Sequence, residues 1–283
     1  MIWKVRNRPI LFDRPLLMGI LNLTPDSFSD GGKFTALENA VHEACRMIAE
    51  GADLLDLGGE STRPGAFEVS AKEELTRILP VLKSLRKKTG VPLSIDTTKP
   101  EVARVCLEEG ADIINDVSGL KGSGPEMATA VRDFGAGLIL MHRRGTPQTM
   151  QTLTHYQDVV KEVMEELRES IETALAAGLR EDQLVIDPGL GFAKTAEQNL
   201  EILKHLEKFH SLKFPLLLGP SRKSFIGKIT GREIGEREFG TAAVVALAVT
   251  KGVQILRVHD VKSMRDAVRM AHAISGECYV RSF

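Results

Sequence analysis

Eight short apolar segments alternate with longer segments of helical periodicity along nearly the whole chain. Leucine, isoleucine and valine run almost continuously within them, which is typical of strands buried on both faces of a parallel sheet. We predict strands at residues 16–22, 53–58, 93–96, 113–116, 137–142, 184–187, 216–219 and 255–259. Eight such strands joined through helices predict an α/β protein whose leading architecture is a (β/α)8 TIM barrel.

Two further features complete the expected architecture. The basic stretch before Leu16 is expected to form a short N-terminal hairpin that closes the barrel floor. Because α/β barrels of about 250 residues form one unit around one core, we expect residues 1–283 to form a single domain. A doubly wound open sheet is the alternative.

Four capping-box patterns, at residues 35–38, 70–73, 98–101 and 195–198, predict helix starts.

The composition argues against several classes of partner. Lys plus Arg number 37 and Asp plus Glu number 38, so the net charge is −1 and no basic excess favours nucleic acid or an anionic membrane. The apolar stretch at residues 241–250 is far shorter than the ~20 residues that span a bilayer. Cys45, Cys106 and Cys278 form no C-x-x-C pair, which fits a reducing compartment. We therefore expect a cytoplasmic protein that binds neither nucleic acid nor membranes.

Polar side chains stand where seven of the eight predicted strands end. In a barrel these carboxyl ends form one rim that holds the active site. Each Asp or Asn, taken alone, could simply cap the helix that follows, but seven strand ends at one rim favour a shared pocket. The residues are Asn22, Asp56, Asp96, Asn115, Asp116, His142, Asp187, Arg257 and His259.

Two segments predict the binding of an anion. Arg257 and His259 lie two residues apart on a strand, so they project to one face, where the Arg donor fork matches phosphate oxygens. A salt bridge from Arg257 to Asp260 is the alternative interpretation. Residues 219–225 follow the seventh strand and open a helix, a frequent position for phosphate or carboxylate binding in barrels.

Three loops add to this picture. The loops at residues 23–32 and 58–65 are rich in Gly, Pro and Ser, which predicts mobile lids; Phe28 in the first either packs on its own loop or contacts a ligand. The loop at residues 187–192, which ends at Phe192, is similar to a phosphate-binding glycine loop. It lacks the Lys and the Ser or Thr of a P-loop.

Together these segments resemble the dihydropteroate synthases, the pterin transferases of the folate pathway. The resemblance runs from about Leu16 to the last predicted helix. Its seven ordered motifs stand on seven separate strand ends, which makes it very specific. They are MGILNLTPDSFSDGG at 18–32, GGESTRPG at 58–65, SIDT at 94–97, INDV at 114–117, IDPG at 186–189, SRKS at 221–224 and RVH at 257–259.

The resemblance implies the condensation of 6-hydroxymethyl-7,8-dihydropterin diphosphate with p-aminobenzoate to 7,8-dihydropteroate and pyrophosphate. It places the pterin among Asp96, Asn115, Asp187 and Lys223, with Phe192 also binding substrate, and the diphosphate among Thr62, Arg63, Arg257 and His259. Asn22 is expected to contact Mg²⁺, and Ser224 to receive the benzoate carboxylate. Asp96, Lys223, Arg257 and His259 are the expected catalytic residues, and sulfonamides the expected inhibitors.

Elementary chemistry agrees with these implied roles. The exocyclic amine and ring N–H of a pterin stand side by side, so the Asp187 carboxylate can accept from both, whereas Lys223 donates and suits the ring carbonyl. Asp96 near the ring can stabilise positive charge that develops as the C–O bond breaks. The charge of the leaving group would be offset by Mg²⁺, Arg257 and His259. The attacking aniline is neutral at pH 7, so we assign no general base.

Two alternatives and several departures from the family pattern accompany the resemblance. A barrel that transfers a methyl group from a pterin to a corrinoid protein shares the Asp/Asn pocket but binds no diphosphate, and a non-enzymatic pterin-binding module is the second alternative. Arg63, the stretch at residues 221–224 and the Arg257/His259 pair favour the synthase. The departures are Pro220, Ala193, Arg143 and Arg144, and none removes a residue with a named role.

Residues 240–249 are apolar around the full circumference of a helix. An outer helix of a barrel normally keeps one polar face, so this helix is expected to be covered on both sides. We expect a homodimer through this region, as in the family that the chain resembles. Burial under neighbouring helices of the same chain is the alternative.

Overall fold

The computed structural model describes residues 1–24 and 32–276, with the side chains of residues 32–34 excepted. Its strands are β1 Ile2–Val5, β2 Arg8–Leu11, β3 Leu16–Asn22, β4 Leu54–Gly58, β5 Leu93–Asp96, β6 Ile113–Asp116, β7 Gly137–Met141, β8 Leu184–Asp187, β9 Leu217–Leu218 and β10 Ile255–Val258. Its helices are α1 Gly32–Glu50, α2 Ala71–Lys88, α3 Pro100–Glu108, α4 Gly124–Asp133, α5 Val159–Ala176, α6 Ala196–Lys204, α7 Ser224–Thr230, α8 Glu238–Thr250 and α9 Val261–Ile274.

Strands β3 to β10 form a barrel. They pair in parallel in the order β8-β7-β6-β5-β4-β3-β10-β9, and a parallel bridge between Ile186 and Leu216 joins the two ends of this series. The prediction of a (β/α)8 barrel is therefore confirmed, and the open doubly wound sheet is wrong. The strands are buried on both faces because side chains of the core fill the barrel inside and the helices cover it outside.

The N-terminal hairpin closes the barrel floor, as predicted. Strands β1 and β2 pair antiparallel, and the fully buried Trp3 and Val5 pack against the first residues of the barrel strands. The indole Nε1 of Trp3 donates to the carbonyl oxygen of Gln183 at 2.8 Å. A Cβ atom on Gly137 would lie 2.5 Å from Val5 and 2.8 Å from Trp3, so β7 begins with the one residue that leaves room for this plug.

The helix starts agree only partly with the four capping-box predictions. Ser70 accepts from the backbone of Glu73, and Thr195 forms the full box with Gln198. The predictions at residues 35–38 and 98–101 are wrong. Helix α1 begins at Gly32, and α3 begins at Pro100, whose fixed φ starts a helix without a side-chain cap.

Helix α8 is only partly covered by its own chain. It packs against α9, and its buried residues are Thr241, Val245, Ala248 and Val249, whereas Phe239 is 87% exposed. Within the described part of the chain, no helix has the length and apolar character needed to span a membrane.

Candidate active site

A narrow cleft opens where the barrel strands end at their carboxyl side. We call it the central cleft. Seven residues proposed from the sequence line it, so the fold brings together positions up to 195 residues apart in the chain. Its lining residues are Thr62, Asp96, Asn115, Val117, Met141, Asp187, Leu190, Phe192, Gly219, Lys223 and Arg257.

An ionic group lies at the base of the central cleft. Arg257, on β10, donates from Nε to Asp56 Oδ2 at 2.6 Å and from Nη2 to Asp96 Oδ2 at 2.8 Å. Asp56 Oδ2 also accepts from Asn115 Nδ2 at 3.0 Å. The alternative salt bridge from Arg257 to Asp260 is wrong, because Asp260 instead caps α9. This ionic group fixes the guanidinium of Arg257 on two sides.

Burial changes the ionisation of the groups in this cleft. It raises the pKa of Asp96 to about 7, with Arg257 opposing the shift, and that of Asp187 to about 6, with the Gly189 N–H opposing it. Burial also lowers the pKa of Lys223 to about 8, as does the nearby Arg257. The carboxylates are thus poised to change charge near neutral pH, a property that is concentrated at functional sites.

Asp187 ends β8 and begins a turn that depends on glycine. Its Oδ1 accepts from the Gly189 N–H at 2.7 Å, whereas Oδ2 accepts no hydrogen bond from any described residue. Gly189 has a φ of +69°, and a Cβ atom there would lie 2.0 Å from the His142 carbonyl oxygen. The turn therefore needs glycine, and it leaves one oxygen of Asp187 available to a ligand.

The loop after β8 also carries Phe192 to the central cleft. Lys223 Nζ lies 4.2 Å from the centroid of the Phe192 ring, a cation–π distance. Lys223 directly precedes α7, and Arg222 before it has a φ of +59°. Two loops that are distant in sequence thus place an ammonium group over an aromatic face at the cleft wall.

His259 lies directly after β10 and is held by Ser221. The Ser221 hydroxyl oxygen accepts the backbone N–H of His259 at 3.2 Å and lies 2.9 Å from its Nδ1. The hydroxyl proton is therefore free to point at Nδ1, which leaves the imidazole proton on Nε2. Burial, aided by Arg222 and Arg257, lowers the pKa of His259 to about 3. His259 is thus neutral at pH 7 and offers Nε2–H as a donor.

Four of the proposed site residues do not line the central cleft. Asn22 ends β3 at the rim, with its Oδ1 about 4.0 Å from the position that a Cβ of Gly58 would take. Arg63 is exposed on the β4–α2 loop, and its charge contributes to the lowered pKa of His259. Ser224 is the exposed first residue of α7 and follows the cleft-lining Lys223, and His259 follows the last residue of β10.

The β4–α2 loop, predicted as a mobile lid, is anchored at several points. The Gly65 N–H donates to the Pro147 carbonyl oxygen at 2.9 Å, and Gln148 Nε2 donates to that of Ala66 at 2.5 Å. At its base, Lys99 bridges Glu60 at 2.5 Å and the buried Glu74 at 2.8 Å. Residues 25–31 of the other predicted lid, including Phe28, lie outside the described residues.

Sequence reasoning gave no role to several residues that shape the site. Asp56 was named only as one of the polar strand ends, and Ser221 and Lys194 had no role of their own; Asp56 bonds Arg257 and Asn115, Ser221 bonds His259, and Lys194 bonds the loop that carries Phe192. Of the other polar strand ends, Asp116 caps its own turn by accepting from the backbone N–H groups of Ser118 and Leu120, as the alternative interpretation supposed. Strand-end position alone does not separate these cases.

Two of the residues that depart from the family pattern, Arg144 and Ala193, affect the loops around the site and not its binding groups. Arg144 donates to Glu162 and Glu166 and stacks over the Tyr156 ring at 3.9 Å, so it ties the β7–α5 loop to α5. Ala193 adopts a φ of +50°, a conformation that favours glycine. Neither change removes a group from the central cleft.

Comparison with known proteins agrees with this geometry. The family model for pterin-binding enzymes matches residues 18–259. A dihydropteroate synthase of Synechocystis is 49% identical over 268 residues, covering 93% of this chain and 92% of the relative. The Xanthomonas albilineans dihydropteroate synthase with 4-aminobenzoic acid has a TM-score of 0.90 at 46% identity, covering 96% of this chain and 97% of that one. The Yersinia pestis enzyme in a sulfonamide drug complex has a TM-score of 0.91 at 40% identity, covering 98% and 100%.

The family match covers most of the chain, and the relative and both structures carry one activity. The methyltransferase and the non-enzymatic module are therefore set aside: the chain belongs to the pterin-binding enzymes and, among them, to the dihydropteroate synthases.

Proposed function

We propose that the central cleft condenses 6-hydroxymethyl-7,8-dihydropterin diphosphate with p-aminobenzoate. The aniline nitrogen forms a bond to the methylene carbon of the pterin, the C–O bond to the diphosphate breaks, and the nitrogen loses a proton. The observation that carries this proposal is the meeting of Asp187, Asn115, Lys223 and Arg257 in one buried cleft. Carboxylate, amide and ammonium groups together match the alternating donors and acceptors of a pterin edge.

The pterin is held by complementary hydrogen bonds. The Asp187 carboxylate, which has a free Oδ2, accepts from the exocyclic amine and the adjacent ring N–H. Lys223 donates to the carbonyl of the pterin ring. Because the ammonium group of Lys223 lies over the Phe192 side chain, the aromatic ring of Phe192 is next to the place where the pterin binds. Asp96 forms an ion pair with Arg257. Its carboxylate stabilises the positive charge that develops on the pterin as the leaving group departs.

The diphosphate is bound on the side of Arg257 and His259. Two nitrogens of Arg257 are committed to Asp56 and Asp96, and Nη1 donates to no described residue, so it is the nitrogen left for the leaving group. His259 adds its Nε2–H, as its bond to Ser221 implies. Thr62 lines the cleft, and Arg63 contributes from the β4–α2 loop. These donors stabilise charge on the departing pyrophosphate.

We propose that a magnesium ion accompanies the diphosphate. Within the described residues, no group of three or more His, Cys, Asp or Glu side chains is arranged to hold a metal. The Asn22 amide oxygen at the rim is a hard ligand, and Mg²⁺ usually binds through one or two protein oxygens together with water and substrate phosphates. The residues therefore fit an ion that arrives with its substrate. Such an ion would neutralise part of the diphosphate charge.

The second substrate binds beside the methylene carbon. A solved relative contains 4-aminobenzoic acid, and another contains a sulfonamide drug, which shares the aniline group. We place the benzoate carboxylate at Ser224, the exposed first residue of α7, which directly follows the cleft-lining Lys223. The aniline is neutral at pH 7 and needs no general base, so its reactivity depends on position alone.

We also propose a homodimer in the cytoplasm. The exposed apolar side chains of α8 and α9, Phe239 at 87%, Leu247 at 39%, Met270 at 63% and Ile274 at 74%, leave one face that its own chain does not cover. Large apolar side chains that stay exposed on two neighbouring helices favour a protein interface there. Among the described residues, Cys45 and Cys106 are free thiols, which fits a reducing compartment.

The test of the activity is direct. The protein is incubated with pterin diphosphate, p-aminobenzoate and Mg²⁺, and pyrophosphate and dihydropteroate are measured together. We expect equal amounts of the two products, with no release when p-aminobenzoate is omitted. Pyrophosphate release that does not depend on p-aminobenzoate would make the protein a pterin diphosphate hydrolase instead.

A further inference from the structure

Asp56 lies beneath the central cleft and has no role in the reaction described above. It stands on β4 and is 0% exposed. Its Oδ2 accepts from Arg257 Nε at 2.6 Å and from Asn115 Nδ2 at 3.0 Å. In the barrel, β10 and β6 are each two strands away from β4, in opposite directions. One carboxylate oxygen therefore joins side chains from opposite walls of the barrel.

This contact decides which end of the Asn115 amide faces Asp56. The two ends have nearly the same shape, but a carboxylate only accepts hydrogen bonds, so the NH₂ group must be the end that faces Asp56. Oδ1 of Asn115 then points away, and it accepts no hydrogen bond from a described residue. Because Asn115 lines the cleft, it offers the ligand a carbonyl acceptor, which suits a ring N–H.

The same oxygen restricts Arg257. With Nε held by Asp56 and Nη2 held by Asp96, the guanidinium has no freedom to rotate about its long axis. A planar donor fork fixed in this way presents a single nitrogen to an anion. Without Asp56, the guanidinium would keep only its bond to Asp96.

We propose that Asp56 is a positioning residue: it sets the orientation of the Asn115 amide and of the Arg257 guanidinium, and it thereby aligns the pterin half of the cleft with the diphosphate half. The inference rests on the proposed roles of Asn115 and Arg257. Asp56 itself need not touch either substrate.

The test uses Asp56→Asn, which preserves shape and removes the charge and one acceptor oxygen. Binding is measured by calorimetry with two separate probes, a dihydropterin that lacks the diphosphate and inorganic pyrophosphate. The oxygen of the introduced Asn can still accept from both partners, but without the charge each hydrogen bond is weaker, so both probes are expected to bind about tenfold more weakly. A variant that binds both probes as the wild type does would overturn the proposal.

Asp116→Asn is the matched control. Asp116 is also 0% exposed and is next to Asn115 in the chain, but among the described residues its carboxylate bonds only within its own turn, to Ser118, Leu120 and Ser123. We expect this variant to bind both probes within about twofold of the wild type, whatever its loss of stability. A loss equal to that of Asp56→Asn would mean that any buried charge removed here disturbs binding, and it would overturn the specific role of Asp56.

A double-mutant cycle separates positioning from a general structural role. If Asp56 acts on the pterin through Asn115, then Asp56→Asn combined with Asn115→Ala should bind the dihydropterin no more weakly than Asn115→Ala alone. The double variant should still bind pyrophosphate more weakly than Asn115→Ala does. If the double variant instead loses as much dihydropterin affinity as the two single variants together, the inference about Asp56 is overturned. Unchanged affinity in Asn115→Ala alone would instead overturn the proposed pterin role of Asn115.

Circular dichroism and thermal melting verify that each variant is folded. If Asp56→Asn does not fold, Asp56→Ser is measured with the same probes, because it retains an accepting oxygen without the charge. The same two results, a loss of both affinities or no loss, then support or overturn the proposal.

Discussion

The Nζ atom of Lys194 lies 2.9 Å from Nδ1 of His142, and both side chains are buried, at 4% and 3% exposure. Nζ also donates to the carbonyl oxygens of Gly189 at 3.1 Å and Phe192 at 2.9 Å. The Lys194 amine therefore bonds two carbonyl groups of the loop after β8, and these bonds hold the segment between Asp187 and Phe192 in place.

Lys194→Met is expected to weaken binding of a dihydropterin about tenfold, because the Phe192 carbonyl oxygen loses its donor, at ~1–3 kcal/mol, and the Gly189 carbonyl oxygen keeps only the Phe192 N–H. Met has nearly the same length, so the change removes the donor with little loss of volume. Lys204→Met is the control, since Lys204 is 69% exposed on α6. Equal pterin affinity in both variants would show that the loop keeps its position without the amine.

Lys194 also makes a prediction for stability. Burial lowers its pKa to about 7, with Asp187 and Glu166 opposing the shift. Because the pKa is lower in the folded chain, the unfolded chain binds more protons between about pH 7 and the ordinary lysine pKa of about 10.4. The free energy of unfolding of the wild type relative to Lys194→Met should therefore rise across this interval in denaturant titrations. A difference independent of pH would contradict the lowered pKa.

Asp187→Asn is expected to weaken dihydropterin binding by ~1.5–3 kcal/mol, because an amide cannot accept two parallel donors as a carboxylate does. The probe is again a pterin without the diphosphate, so that the phosphate contacts do not mask the loss. The Asp116→Asn protein serves as the control for removing a buried charge. Retained affinity would remove Asp187 from the pterin site.

The same carboxylate predicts a pH dependence. Burial raises the pKa of Asp187 to about 6, so the group is protonated in the free protein below that pH and cannot accept two hydrogen bonds. Pterin affinity should rise between about pH 5 and pH 7, and binding near pH 6 should release a proton. Calorimetry in buffers of different ionisation enthalpy measures this release. The release near pH 6 should be smaller in Asp187→Asn, in which only Asp96 of the two cleft carboxylates still titrates near neutral pH.

The barrel could be predicted from the sequence because the strands are short, apolar and evenly spaced, and parallel strands buried on both faces need that pattern. Only β9 departs appreciably: the prediction covered four residues, whereas the strand pairs over Leu217–Leu218 with a bridge at Leu216. The resemblance supplied the residues that line the cleft. The contacts that hold them were not predictable, because Asp56 and Arg257 are 201 residues apart and no local pattern records their meeting.

The same limit explains Lys194 and Ser221. Each is a polar residue in a Gly- or Ser-containing loop, and a sequence gives no sign of which way such a side chain turns. The structure shows that one turns inward to brace its own loop and that the other holds His259. The fold and the cleft could thus be predicted from patterns along the chain, whereas the supporting hydrogen bonds depend on three-dimensional packing.

The exposed apolar face of α8 predicts how the protein assembles. Leu247→Glu places a charge in the proposed interface and should convert a dimer into a monomer of 31.0 kDa in light scattering. Leu200→Glu is the control, since Leu200 is 44% exposed on α6 and lies outside that face. A wild-type protein that is already a monomer at high concentration would refute the dimer.

The last prediction concerns the order in which the substrates bind. In the described structure the tip of the β4–α2 loop is tied to the β7–α5 loop through Gly65 and Gln148, and Arg63 is exposed. Moving Arg63 onto a ligand would rearrange this anchored tip, at a cost of about 0.5–1.5 kcal/mol for each hydrogen bond that it breaks. A diphosphate with its metal ion supplies the charge that can offset this cost. By contrast, p-aminobenzoate carries one carboxylate, and in the free protein it would meet a site to which the β4–α2 loop does not yet contribute.

We therefore expect p-aminobenzoate to bind weakly to the free protein and at least tenfold more tightly when a pterin, pyrophosphate and Mg²⁺ are present, a difference of about 1.4 kcal/mol. Sulfonamides, which share the aniline group, should show the same dependence and compete with p-aminobenzoate but not with the pterin. Arg63→Ala should reduce the enhancement by pyrophosphate while leaving the affinity for a free dihydropterin unchanged. Calorimetry with and without pyrophosphate decides the matter, because equal p-aminobenzoate affinity in the two conditions would mean that the second site is formed before the first substrate binds.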